Sequence, residues 1–116
     1  MNSVRLIGRV RHAPRYHCTA AGRDLTRWTL AVHTKENGIM LHECVAWGGP
    51  AFWLYDHLCA GHLLAVEGKL RYRSTGCRRD TYIIVRHFNI LKGLNLSFAG
   101  VEHQPTVPDT IDHADQ

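Results

Sequence analysis

IMLHECVAWGGPAFWLYDHLCAGHLLAVEGKLRYRS, residues 39–74, changes period twice. Residues 39–47 are rich in apolar and β-compatible side chains and read as a strand. In GGPAFWLYDHLCAG, residues 48–61, the spacing lengthens: Ala51, Leu54, Tyr55 and Leu58 recur at helical intervals. Gly49 suits the cap, Pro50 the first turn, and Gly61 the end of this helix. From His62 to Arg73 the period returns to two, with Leu64, Val66, Gly68, Leu70 and Tyr72 on one face. Lys69, Arg71 and Arg73 fall on the opposite face. The stretch therefore predicts strand, short helix, strand.

Two strands are expected before it. Asn2–Arg11 alternates, with Val4, Leu6, Gly8 and Val10 inward and Arg5, Ile7, Arg9 and Arg11 outward, and ends before Pro14. The run 19–24, TAAGRD, reads as a turn. Leu25–His33 is the second strand, with Trp28, Leu30 and Val32 on its apolar side and Arg27 on the other. Asn37-Gly38 marks a hairpin into the third strand. After the fourth, STGCRRD (74–80) reads as a polar, basic loop, and Thr81–Leu91 as the fifth strand. Three strands, one helix and two strands are the order of an all-β, five-stranded OB-fold barrel, whose wall and loops commonly bind oligonucleotides or oligosaccharides. The expected sheet is antiparallel. The expected domain covers residues 1–93, followed by a flexible, mildly acidic tail at 94–116.

Charge supports a polyanion partner. Residues 1–93 carry all 14 basic side chains and 6 of the 10 acidic ones, a balance of +8, while the tail balances at −4. Single-stranded nucleic acid asks for cations along its phosphates and aromatic rings under its bases. Arg5, Arg9, Arg27, Lys69, Arg71 and Arg73 supply outward charge on strands one, two and four. Arg78 and Arg79 add it at the expected loop tip. Trp47 belongs to the outward set Leu41, Glu43, Val45 and Trp47, where an indole is placed to stack on a base. Trp28 belongs to the core by its parity, and Phe52 and Trp53 read as packing or interface residues.

Other chemistry finds little footing. The four cysteines form no CxxC pair and read as free thiols. His57, Cys59 and His62, or His42 and Cys44, do not match a zinc spacing, so no metal and no cofactor is expected. No nucleophile elbow, phosphate-cradling loop or dinucleotide fingerprint occurs, and a non-catalytic protein is expected. No apolar run spans a bilayer and the first residues lack a signal-peptide pattern. The expected setting is cytoplasmic, without membrane contact.

The segments NSVRLIGRV (2–10), TLAV (29–32), LHECVAWGG (41–49), LLAVEGKLRYRS (63–74) and RDTYIIVRHFNIL (79–91) together resemble the bacterial-type single-stranded DNA-binding protein family. That resemblance implies an OB fold, usually a homotetramer, sequence-independent binding of single-stranded DNA, and replication or repair proteins as partners; a homodimer or homotetramer is expected of this chain. It places a family aromatic on Trp47, family cations on Lys69, Arg71 and Arg73, and a residue near a subunit interface on His42. The chain departs from the family pattern at Leu41, Glu43 and Thr75, which implies binding that leans on charge and is more salt-sensitive. The tail also lacks the family's apolar close. The short barrel is similar, too, to primosomal replication protein N, which implies an alternative role as a protein-interaction module of a primosome-like or conjugation complex.

Overall fold

The computed structural model describes residues 1–92. Its elements run β1 (Val4–Val10), β2 (Arg15–Cys18), β3 (Asp24–Thr34), β4 (Gly38–Trp47), α1 (Gly49–His57), β5 (Leu63–Thr75) and β6 (Arg78–Lys92). The sheet order is β1-β5-β6-β4-β3-β2, and β1 also pairs with β3. The ring β1-β5-β6-β4-β3 is thus closed, the expected five-stranded barrel with its helix between the third and fourth ring strands. Expectations for the tail at 94–116 lie outside the described residues.

Four details differ from the sequence reading. First, β2 is an additional strand: Arg15–Cys18 pairs antiparallel with β3 from Arg15↔Arg27 to Cys18↔Asp24. Second, the sheet is not wholly antiparallel, because β4 and β6 pair in parallel at Cys44↔Ile83 and Val45↔Ile84. The other four contacts of the ring are antiparallel, and in a ring of five strands the remaining one must then be parallel. Third, α1 ends at His57. The amide of Leu58 still donates to the Leu54 carbonyl at 2.8 Å, and Leu58 then turns to extended backbone. Fourth, residues 74–80 are no loop: β5 and β6 stay paired to Thr75↔Arg78. Gly76 adopts φ 61°, which suits the first position of a two-residue hairpin turn completed by Cys77.

The inward parity builds one core. Val10, Trp28, Leu30, Cys44, Leu64, Val66, Ile83, Phe88 and Ile90 are buried inside the ring. Leu54 and Leu58 of the α1 segment join them and close one end of the barrel. The helix is pinned by Thr26, whose buried hydroxyl donates to the Ala51 carbonyl at 2.6 Å. Two glycines permit closure. A Cβ on Gly8 would strike the Ala31 carbonyl where β1 crosses β3, and one on Gly68 would strike the Ile84 carbonyl beside the β5–β6 bulge. The β5–β6 hairpin outruns the core, so Leu70 and Tyr72 keep inward parity but are exposed.

Candidate nucleic-acid interface

Side chains of paired residues stand on the same side of a sheet. The ladders therefore assemble an outer row from five strands: Arg15↔Arg27, Arg27↔Val45, Val45↔Ile84 and Ile84↔Lys69. It crosses β2, β3, β4, β6 and β5, four strand spacings or about 19 Å along the curved wall. Cations hold both ends, Arg15 and Arg27 on one flank and Lys69 on the other, with the apolar pair Val45 and Ile84 between. Val45 has the outward parity expected of it but is 2% exposed, because it lies mid-wall between larger neighbours. Beside it runs a second row, His17↔Leu25↔Trp47. On the Lys69 flank, Arg71↔Tyr82 and Arg73↔Asp80 extend the same face along the hairpin.

Trp47 is half-buried at the end of β4, where the Arg23 guanidinium lies over its ring, 4.3 Å from the centroid. That contact holds the indole in place and adds a cation beside it. Arg73 lies over the Tyr82 ring at 5.1 Å, on the same face as Arg71. On the hairpin's other face Arg79 lies over Tyr72 at 4.6 Å.

The candidate cations are not equivalent. Arg27 is 3.8 Å from Glu43, Arg5 is 3.6 Å from Glu67, and Arg78 is 3.3 Å from Asp80. These are surface pairs in high dielectric, each worth at most about 1 kcal/mol, so a phosphate can compete for the arginine. Arg5 flanks the field on β1, next to β5. Arg9 serves elsewhere: its guanidinium donates to the Gly61 carbonyl at 2.9 Å and latches β1 to the segment after α1. The structure thus gathers Arg27, Trp47, Lys69, Arg71 and Arg73 on one face. Arg78 stands beyond them near the hairpin turn, Arg79 turns to the hairpin's reverse side, and Arg9 is set apart. His42 is half-buried opposite Leu30 on the inward side of the β3–β4 ladder.

Residues 1–91 match the model of the single-strand binding protein family. The chain belongs to that family. A single-stranded DNA-binding protein of Enterococcus faecalis is 29% identical over 108 residues, 84% of this chain and 57% of that protein. One from Malacoplasma penetrans is 33% identical over 76 residues, 64% of this chain and 40% of that protein. The chain therefore spans less than two thirds of the length of either relative.

Three residues of the candidate face escaped the sequence reading. Arg15 was invisible because β2 has only four residues. Its signal is Pro14 followed by alternating Arg15, Tyr16 and His17. Tyr82 alternates out of phase with Ile83 and Val85, which would have placed it outward. Arg23 sits in a turn, where no periodicity applies. Among the described residues no group of three or more His, Cys, Asp or Glu comes together as a metal site, and no helix is long and apolar enough to cross a membrane.

Proposed function

We propose that this chain binds single-stranded DNA without sequence specificity, as a non-catalytic homodimer or homotetramer in the cytoplasm that serves replication, recombination or repair. The observation that carries the reading is the outer face: Arg15, Arg27, Lys69, Arg71 and Arg73 beside Trp47 and Tyr82, on a barrel of this family. The cations neutralise phosphates and the rings take bases, neither of which reads sequence. At a stacked rise of about 3.4 Å per base, the 19 Å row accommodates roughly six bases. Titration with a dT oligomer, followed by tryptophan emission at low and moderate salt, tests it. Quenching with an affinity that falls steeply with salt supports the reading. No binding at low salt, checked by mobility shift, rejects it.

A second reading is a protein-interaction module with weak nucleic-acid contact. It draws on Ile39 and Leu41, exposed at 54% and 52% near the β3–β4 turn. The double substitution Lys69→Ala, Arg71→Ala separates the two, since it weakens DNA binding but leaves an apolar protein contact at Ile39 and Leu41 intact.

A further inference from the structure

One aromatic cluster lies off the outer face. Tyr16 has the opposite parity to Arg15 and His17, and it packs over α1. Its ring centroid is 6.0 Å from that of Phe52, edge-on, and 5.5 Å from that of Tyr55. The helix buries Ala51 and Leu54, yet Phe52 and Tyr55, three residues apart, are 55% and 47% exposed. Ala51 and Leu54, not these two rings, seat α1 on the barrel. The Tyr16 hydroxyl donates to the Asp24 carboxylate, which fixes the central ring of the cluster.

The cluster adjoins the face already described. From Trp47 the row Trp47–Leu25–His17 reaches the β2 edge in two strand spacings, about 10 Å. The same Asp24 that holds Tyr16 accepts the Gly48 amide on its carbonyl at 3.0 Å, directly after Trp47. Arg23, over the Trp47 ring, precedes Asp24 in the chain. Arg15 and Arg23 bring two cations to this corner, balancing Asp56 and the hydrogen-bonded Asp24. A strand leaving Trp47 meets positive charge at the edge and rings beyond it.

We infer that Phe52, Tyr55 and Tyr16 form a second base-stacking platform for single-stranded DNA that runs off Trp47 and over the β2 edge. The inference rests on the outer face being the primary binding surface. About three stacked bases bridge the 10 Å gap, so a strand that already fills the outer row must be longer than it to reach the platform as well.

The test measures affinity of the full chain for dT oligomers of about 6 and about 20 bases at one low salt concentration. Phe52→Ala/Tyr55→Ala should bind the short oligomer like the parent and the long one about tenfold more weakly. Phe52→Leu/Tyr55→Leu keeps apolar bulk without π faces and should show the same length-dependent loss. Parental affinity of both double variants at both lengths overturns the inference, as does an equal loss at both lengths with an unchanged melting temperature. If Trp47→Ala/Arg71→Ala weakens both oligomers while the helix variants weaken neither, the outer-face reading stands and the platform alone falls. If the parent binds neither oligomer, both readings fall together.

Discussion

Arg27 and Glu43 face each other diagonally across the β3–β4 ladder, with the guanidinium 3.8 Å from the carboxylate. The pair sits within the outer face, so each bound phosphate near Arg27 must displace or tolerate a like charge. Glu43→Gln removes that charge and releases Arg27. The expected result is tighter binding of a dT oligomer, by several-fold at low salt, with the gain shrinking as salt rises. One further phosphate contact steepens the slope of log K against log[salt] by about 0.7. An unchanged slope and affinity would place Arg27 outside the binding path.

In the proposed role Trp47 differs from the cations: stacking releases no counterions, so its contribution should be insensitive to salt. Trp47→Ala should cost about 1–3 kcal/mol of binding, five- to over a hundredfold, with the salt slope retained. Trp47→Phe should recover much of the affinity but lose most of the emission change. Trp28 is 4% exposed and Trp53 packs on His57 with centroids 4.1 Å apart, so neither is placed to report on a base at the face. Emission quenching that persists in Trp47→Phe would reassign the stacking residue.

Period alone placed Arg27, Trp47, Lys69, Arg71 and Arg73 outward, because each lies on a strand long enough to show alternation. Their adjacency was not legible. It depends on the parallel β4–β6 pairing and on β5 lying beyond β6, contacts between residues far apart in the chain. Arg15 escaped for a related reason: four residues of β2 are stabilised by β3, not by their own pattern. Residues 74–80 have the polar composition of a loop, yet cross-strand pairing outweighs composition once Gly76 supplies the turn. Tyr55 recurs at helical spacing with Ala51, Leu54 and Leu58, but α1 turns only Ala51 and Leu54 into the core.

Gly68 is a test of barrel closure. It pairs with Val4 on one side and Val85 on the other, and any Cβ meets the Ile84 carbonyl, a backbone atom that cannot swing away. Gly68→Ala should destabilise by about 1–3 kcal/mol or more. At about 4–8 °C per kcal/mol for a domain of this size, the melting temperature should fall by on the order of 10 °C. A shift within a degree or two would mean that β5 and β6 separate there at little cost.

The thiols should divide three to one. Cys18, Cys59 and Cys77 are exposed, while Cys44 is buried in the core. Burial foremost, with the Glu43 charge adding, pushes the Cys44 thiol up to about 12, so almost no thiolate forms at neutral pH. A chromogenic disulfide reagent should titrate three thiols in the native protein and the fourth only in denaturant. Rapid reaction of four would show that the barrel opens at Cys44.

His62 ties the end of the helical segment to β1 and makes stability depend on pH. Its Nδ1 accepts the Cys59 amide at 3.1 Å, and its carbonyl accepts the Val10 amide at 2.9 Å. Desolvation by burial lowers its pKa below the ordinary 6.5. A group whose folded pKa is depressed favours folding while it is neutral. That stability is complete above the unfolded value near 6.5 and is lost as pH falls through the folded one, because the unfolded chain takes up the proton first. Protonation at Nδ1 also removes the acceptor for Cys59. The melting temperature should therefore fall between pH 7 and pH 5. The chain has nine histidines, so the wild-type curve alone does not isolate this one. His62→Asn keeps a side-chain acceptor but cannot titrate, and it should show a smaller acid loss than the parent, the difference between the two curves belonging to His62. Parallel curves would mean that water reaches the ring freely and that the Cys59 contact carries no proton linkage.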